Sequence, residues 1–306
     1  MIKILISLLM FSTPVFAKTT VEIVSRYDSH ITSALVASEM VSILNKSQEK
    51  YEFRITPLPG ASGEVADQRA MTLARSGQLV LVLGSSSTYG YNRFLFPNSF
   101  DRDKDLIPLI GMTGTPIAIQ VNPKSNYNSV QDLVAHLKSK NEAFHAGTVS
   151  NSNTKFFDAI FRQNYDLTNV KQLSYRLSTD MMRSVLGNES DYAVYNYADN
   201  VGLKLLVVST DERVPKFPDV PTGKEIGFPD FRFNTLNMIS VPKENLEFGV
   251  SLVILLKKIC LSEEMKAFVD KTPSIRYCYS AEEIKEKISQ EMILLKKYQH
   301  LLEIKP

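Results

Sequence analysis

Short apolar strands alternate with helical stretches along almost the whole of this 306-residue chain, and that alternation predicts an α/β protein with mainly parallel sheets. Two helix-start signals support the reading. Ser129-Val130-Gln131-Asp132 before Leu133 and Ser280-Ala281-Glu282-Glu283 before Ile284 both have capping-box spacing. The strands are expected at Val21 to Ser25, Tyr51 to Thr56, Gln78 to Gly84, Ile117 to Val121, Phe144 to Gly147, Tyr192 to Asn196 and Leu203 to Ser209. Each is short, apolar and rich in β-branched or aromatic residues. A further short strand is expected at Ile275 to Tyr279. The last helix carries Ile284, Ile288, Met292, Leu295, Tyr298 and Leu302 on one stripe, which is expected to pack on the protein's own sheet rather than lie on a membrane. The chain is long enough for two domains with separate cores.

The amino terminus carries Lys3, an apolar run from Ile4 to Phe11, and Val15-Phe16-Ala17 with small residues where a signal peptidase reads. A cleaved signal peptide over 1–17 is therefore expected, with the mature chain beginning at Lys18. The apolar run is too short to span a bilayer. The expected location is the periplasm, if the source has two membranes.

Lys and Arg total 35 against 33 Asp and Glu, a formal charge of +2. Loss of Lys3 with the leader makes that +1. A nucleic-acid binder would be more basic and would cluster its cations, so no nucleic-acid partner is expected. Lys257-Lys258 and Lys296-Lys297 fall in helical segments and read as solvated faces.

In open α/β sheets ligands bind outside the carboxyl ends of the strands. Four loops at such ends are small and polar: Ser25 to His30, Pro59 to Gly63, Gly84 to Thr88, and Gly147 to Thr154. The last has the chemistry of an anion clamp. The first turn of a helix leaves NH groups unpartnered at the positive end of the helix dipole, so a carboxylate can be held without a basic side chain. Gly147 would let the backbone approach, and Thr148, Ser150, Asn151, Ser152 and Thr154 can donate. One N-cap needs only one such residue, and a cap alone is the competing reading. Pro59 to Gly63 reads as a structural turn.

Cys260 and Cys278 are the only cysteines. In an oxidising compartment they form either a disulfide or two buried thiols, and neither state makes them catalytic.

Phe100-Asp101-Arg102-Asp103-Lys104-Asp105-Leu106-Ile107-Pro108-Leu109, Val121-Asn122-Pro123, Ser129 to Leu133, Phe217 to Thr222 and Gly227-Phe228-Pro229 together resemble a family. It is that of the solute-binding proteins of tripartite tricarboxylate transporters, the Bug proteins. Pro59-Gly60-Ala61-Ser62-Gly63 is similar to that family's Pro-Gly-Ala-Gly-Gly turn. The resemblance implies a type II periplasmic binding protein: two α/β lobes joined by a hinge of two crossover strands, Met112 to Thr115 and Phe231 to Thr235. Lobe 1 would comprise 18–112 and 236–306, and lobe 2 113–235. It implies a monomer that closes on a small carboxylate and serves a membrane permease or a membrane sensor.

By the same resemblance Ser85 and Ser86 face Thr148, Ser150, Asn151 and Ser152 across the cleft; Gly147, Asn153, Thr154 and Asn196 complete the expected ligand-binding set. The first loop departs from the family's Pro-Gly-Gly pattern, having Arg26, Tyr27 and Asp28 instead. Arg26 could bind an anion through its planar fork, though an exposed loop arginine is the commoner fate. Asp28 could receive the amino group of a zwitterion. The stretch from Tyr195 to Leu203 is also shorter than the family's by about two helical turns.

Catalytic readings find little support. The chain has no Gly-x-Ser-x-Gly elbow, no His-Glu-x-x-His, no Cys-x-x-Cys and no calcium-loop pattern. Thr222 to Glu225 resembles the end of a phosphate loop but lacks the upstream glycine and the hydroxyl after the lysine, and reads as a turn. His30, His136, His145 and His300 are scattered without metal-ligand spacing. No enzyme activity, cofactor or metal is expected.

Overall fold

The computed structural model describes residues 18–29, 31–148, 153–175, 177–196 and 202–301. The leader expected over 1–17 lies outside them. The chain first lays down β1 (Thr19–Ser25), α1 (Thr32–Ser47), β2 (Tyr51–Pro57), α2 (Glu64–Arg75), β3 (Val80–Ser85) and the short α3 (Asn92–Leu95). The long strand β4 (Leu106–Val121) then crosses into a second half. That half contains α4 (Val130–Ser139), β5 (Ala143–Thr148), α5 (Asn153–Asn164), β6 (Val170–Tyr175), α6 (Ser178–Leu186), β7 (Tyr192–Asn196) and β8 (Lys204–Val208). Strand β9 (Asn234–Pro242) returns to the first half, followed by α7 (Leu246–Leu261), α8 (Glu263–Val269), β10 (Ile275–Tyr279) and α9 (Ala281–Lys297).

The two halves repeat one strand plan. The first is ordered β2-β1-β3-β9-β4, and the second β6-β5-β7-β4-β8. Parallel pairing holds within β2-β1-β3 and β6-β5-β7. Antiparallel pairing enters where the crossing strands β4 and β9 join them and each other, and where β8 and β10 add to β4. β4 and β9 pair from Leu106↔Pro242 to Pro116↔Asn234, forming a two-stranded ribbon between the lobes. β3 is buried throughout, as a nearly continuous apolar run requires when both faces of a sheet are covered.

Both capping boxes are present: Ser129 accepts from the Asp132 amide and Ser280 from the Glu283 amide, with each acid returning to its cap. α9 spans the two halves. Its Ile284 and Ile288 pack with Val24, Val82 and Leu236, whereas Leu294, Leu295 and Tyr298 join the second-half cluster of Phe157, Phe161, Phe228 and Phe231. Cys260 of α7 and Cys278 of β10 form a disulfide, the bonded one of the two states open from sequence.

Candidate functional site

The first lobe's share of the site is built on a buried arginine. Arg26 follows β1 with its side chain turned inward, and its Nη2 pairs with the wholly buried Asp67 of α2 at 3.2 Å. Nη1 donates to Ser85 Oγ (2.7 Å) and Ser87 Oγ (2.9 Å), and Nη2 to Thr88 Oγ1 (2.6 Å). Arg26 is neither the exposed loop residue nor the open anion fork weighed from sequence: its two terminal nitrogens are engaged by the protein. Burial raises the Asp67 carboxyl, with Arg26 and Thr88 opposing.

The 60–63 turn explains why Arg26 fits. Gly63 has φ of +91°, and a Cβ there would stand 2.2 Å from Arg26 Nε. The turn is therefore structural, as its sequence suggested. A second buried pair supports it: Arg102 donates to Glu64 at 2.8 Å, joining the Asp-Arg-Asp-Lys-Asp segment to the first residue of α2.

The arginine fixes the direction of the hydroxyls around it. A guanidinium only donates, so Ser85, Ser87 and Thr88 must accept from it. Thr88 then gives its proton to Asp67 (3.1 Å). Ser85 and Ser87 stand 2.6 Å apart and one donates to the other, leaving one hydroxyl proton pointed away from the cation. That proton is available to the Tyr27 hydroxyl, which is also near Ser85, or to a ligand oxygen. Tyr27 donates to Asn237 Oδ1 of β9 (2.9 Å), and Asn237 to Thr113 Oγ1 of β4 (3.3 Å). The first loop is thus tied to both crossing strands. Burial raises the Tyr27 phenol, with Arg26 the main opposing influence.

Ser86 lies just past the end of β3 and opens a 3-10 turn over Ser86–Thr88. It accepts from the Leu236 amide at 3.4 Å and bonds to Glu291 of α9. Asp28 is exposed, and its carbonyl accepts from Ile31 at the entrance to α1. In the second lobe, Gly147 and Thr148 end β5 opposite Ser174 and Tyr175, Asn153 and Thr154 begin α5, and Asn196 ends β7 opposite Ile117. Thr154 is buried. Ser150, Asn151, Ser152 and His30 lie outside the described residues. Sequence reasoning missed Asp67 and Asn237, and placed Ser87 and Thr113 only within a polar loop and a crossover strand. The signal for Asp67 was two acids, Glu64 and Asp67, on a helix whose other buried positions are alanine, methionine and leucine.

Among the described residues, the candidate site's parts are hydroxyls, amides and one helix N-terminus, placed at strand carboxyl ends on both sides of a two-stranded crossing. Among the described residues no group of three or more His, Cys, Asp or Glu could hold a metal, and no helix is long and apolar enough to cross a membrane.

This architecture is that of a two-lobed periplasmic solute-binding protein. The chain is similar to Rpa4515 of Rhodopseudomonas palustris, solved with adipate: TM-score 0.74, 16% identity, covering 93% of this chain and 96% of that one. It is also similar to MatC from Rhodopseudomonas palustris, solved with bound malate, with a TM-score of 0.70, 19% identity, and 91% and 98% of the two chains covered. Residues 55–246 match the model of the tripartite tricarboxylate transporter family receptor, and the chain belongs to that family. Among curated relatives, protein BugT of Bordetella pertussis is 24% identical over 192 residues, 60% of this chain. The chain spans 57% and 59% of the length of the curated relatives it matches.

Proposed function

We propose that this protein is an extracytoplasmic receptor that captures a small carboxylate between its two lobes, closes over it and delivers it to a membrane permease. The observation that carries the reading is the Arg26 cluster. Its cation is consumed internally, so the loop above it offers one oriented hydroxyl donor rather than a free charge. A carboxylate oxygen suits such a donor. Ser85 from the first lobe, and Thr148, Ser150, Asn151, Ser152 and the amides opening α5 from the second, would divide the ligand between them, with Asn196 at the edge. Arg26 acts here as a positioning residue, holding Ser85 and Ser87. Asp28, exposed at the mouth, would favour a ligand that also carries an ammonium group.

Family membership and neighbours solved with adipate and malate support a dicarboxylate or a related acid as the ligand class. The lobes would be residues 18–112 with 236–306, and 113–235, turning about β4 and β9. Calorimetry with four- to six-carbon dicarboxylates and amino acids tests binding. Small-angle scattering tests closure, since a saturating ligand should reduce the radius of gyration. A bound ligand with unchanged dimensions would refute the closing step, and absence of heat with every acid and amino acid would refute the carboxylate reading.

A further inference from the structure

A cavity lies apart from the Arg26 cluster. It has a volume of about 420 Å³ and is bounded by the start of β9, by β10, by α9 and by the 209–215 segment. Of the residues assigned above to carboxylate capture or weighed for it, only Ser86 touches it. Three buried polar atoms on its lining residues have no hydrogen-bond partner among the described residues: Glu291 Oε1, Asn234 Oδ1 and Thr210 Oγ1. Two of these can only accept when the carboxyl is ionised. The Tyr277 and Tyr279 rings stack 4.8 Å apart on the same wall.

Glu291 is the unusual member. Burial raises its carboxyl to about 8, opposed by a hydrogen bond from Ser86, and no cationic side chain enters that balance. The cavity's other charges are occupied or more distant in effect: Lys287 stands 3.7 Å from Asp211, and Arg213 pairs with Glu225 at 2.9 Å. Arg232 and Glu212 also border the space. Gly90 makes room for the carboxyl, because a Cβ at that position would come within 2.5 Å of Oε1.

A buried carboxyl without a cation, a second unpartnered acceptor and a stacked aromatic pair are the components that recognise an organic ammonium ion. We propose that this cavity is a second ligand site, taking a small primary ammonium compound with Glu291 as its counter-ion, Asn234 Oδ1 as a second acceptor and the Tyr277–Tyr279 pair as its aromatic wall. On binding, the ammonium keeps its protons and the Glu291 carboxyl loses its own to solvent, so charge balances within the cavity.

Titration calorimetry of the full mature chain with benzylammonium, in two buffers of different ionisation enthalpy at pH 7, tests the site. The expected result is saturable binding with release of about one proton per amine bound, and a loss of tenfold or more in affinity in Glu291→Gln. Capture of a dicarboxylate at the first site should be unchanged in that variant. Benzyl alcohol, which has the ring and lacks the charge, should bind at least tenfold more weakly than benzylammonium. No binding of the amine, equal binding by Glu291→Gln, or equal binding of the alcohol would each overturn the proposal.

Discussion

At the residue scale, the chemistry of the first loop depends on one charge being balanced where it is buried. Removing Arg26 alone strands the Asp67 carboxylate in the core and leaves three hydroxyls without their common donor. The cost expected of Arg26→Ala is about 3–5 kcal/mol, as for breaking other buried pairs. Removing both partners, as in Arg26→Met with Asp67→Leu, should recover most of that loss while abolishing carboxylate binding, because Ser85 and Ser87 are no longer aligned. Urea unfolding of the three proteins checks the first point and calorimetry the second. Equal stability of the single and double variants would contradict the pairing. His145 presents the opposite case. It is buried on β5, and neither ring nitrogen has a hydrogen bond among the described residues, although Asp158 Oδ2 stands 3.6 Å from Nδ1. Burial lowers its pKa below the usual 6.5, outweighing Asp158, so folding keeps the ring neutral. Stability from this group is present above the unfolded value and is lost as pH falls through the folded one. Wild-type protein should therefore lose stability below about pH 6.5 relative to His145→Phe, measured as the difference in urea midpoint at pH 7 and pH 5.

At the element scale, the disulfide joins helix α7 to an edge strand that is otherwise held by its pairing with β4 and by Arg276, which donates to the Cys260 and Ser262 carbonyls. Cys278 has φ of +54° at the irregular pairing of β10 with β4, and that bend turns its side chain toward α7. The pair closes a loop of 18 residues. On a chain-entropy estimate, replacing both cysteines by alanine should cost about 3 kcal/mol, read as a lower denaturant midpoint, with a steeper slope because the unlinked unfolded chain is more expanded. A loss below about 1 kcal/mol would show that the β4 pairing and Arg276 hold β10 without the bond. The elements themselves were readable to different degrees. Apolar strands buried on both faces, β3 and β7 among them, announce themselves by composition, and both capping boxes by spacing. β6 was missed because Val-Lys-Gln-Leu-Ser-Tyr is a half-exposed strand with polar residues at most positions. The first part of β4 was also missed from periodicity, since Pro108, Gly111, Gly114 and Pro116 interrupt the apolar run, and most of β9 because asparagine, threonine and serine are interspersed in it. Only the resemblance to a family marked a crossing there. Of the candidate site, the hydroxyl-rich loops were visible as composition at strand ends, but the inward turn of Arg26 was not. That turn depends on Asp67, 41 residues later, and on the space left by Gly63.

At the scale of the whole molecule, α9 crosses from one core to the other and carries Glu291 midway between its two contact regions. The cavity beneath it is lined by residues of both halves, from Ser86 and Tyr277 to Thr210 and Arg213. Glu291 therefore reports on the packing of the whole molecule through pH. Its folded value of about 8 lies above that of an exposed glutamate, so the folded protein binds a proton that the unfolded chain has already released. A carboxyl shifted this way contributes fully below the unfolded value, near pH 4.5, and loses its contribution steadily as pH rises toward 8. The slope cannot exceed about 1.4 kcal/mol per pH unit for one proton. Wild type should thus weaken relative to Glu291→Gln between pH 5 and pH 8, the reverse of the His145 effect, and the difference should level off above pH 8. Chemical denaturation of both proteins across that range measures it. Parallel stability curves would mean that the carboxyl is ionised and solvated at neutral pH, and that α9 does not seal the space it crosses.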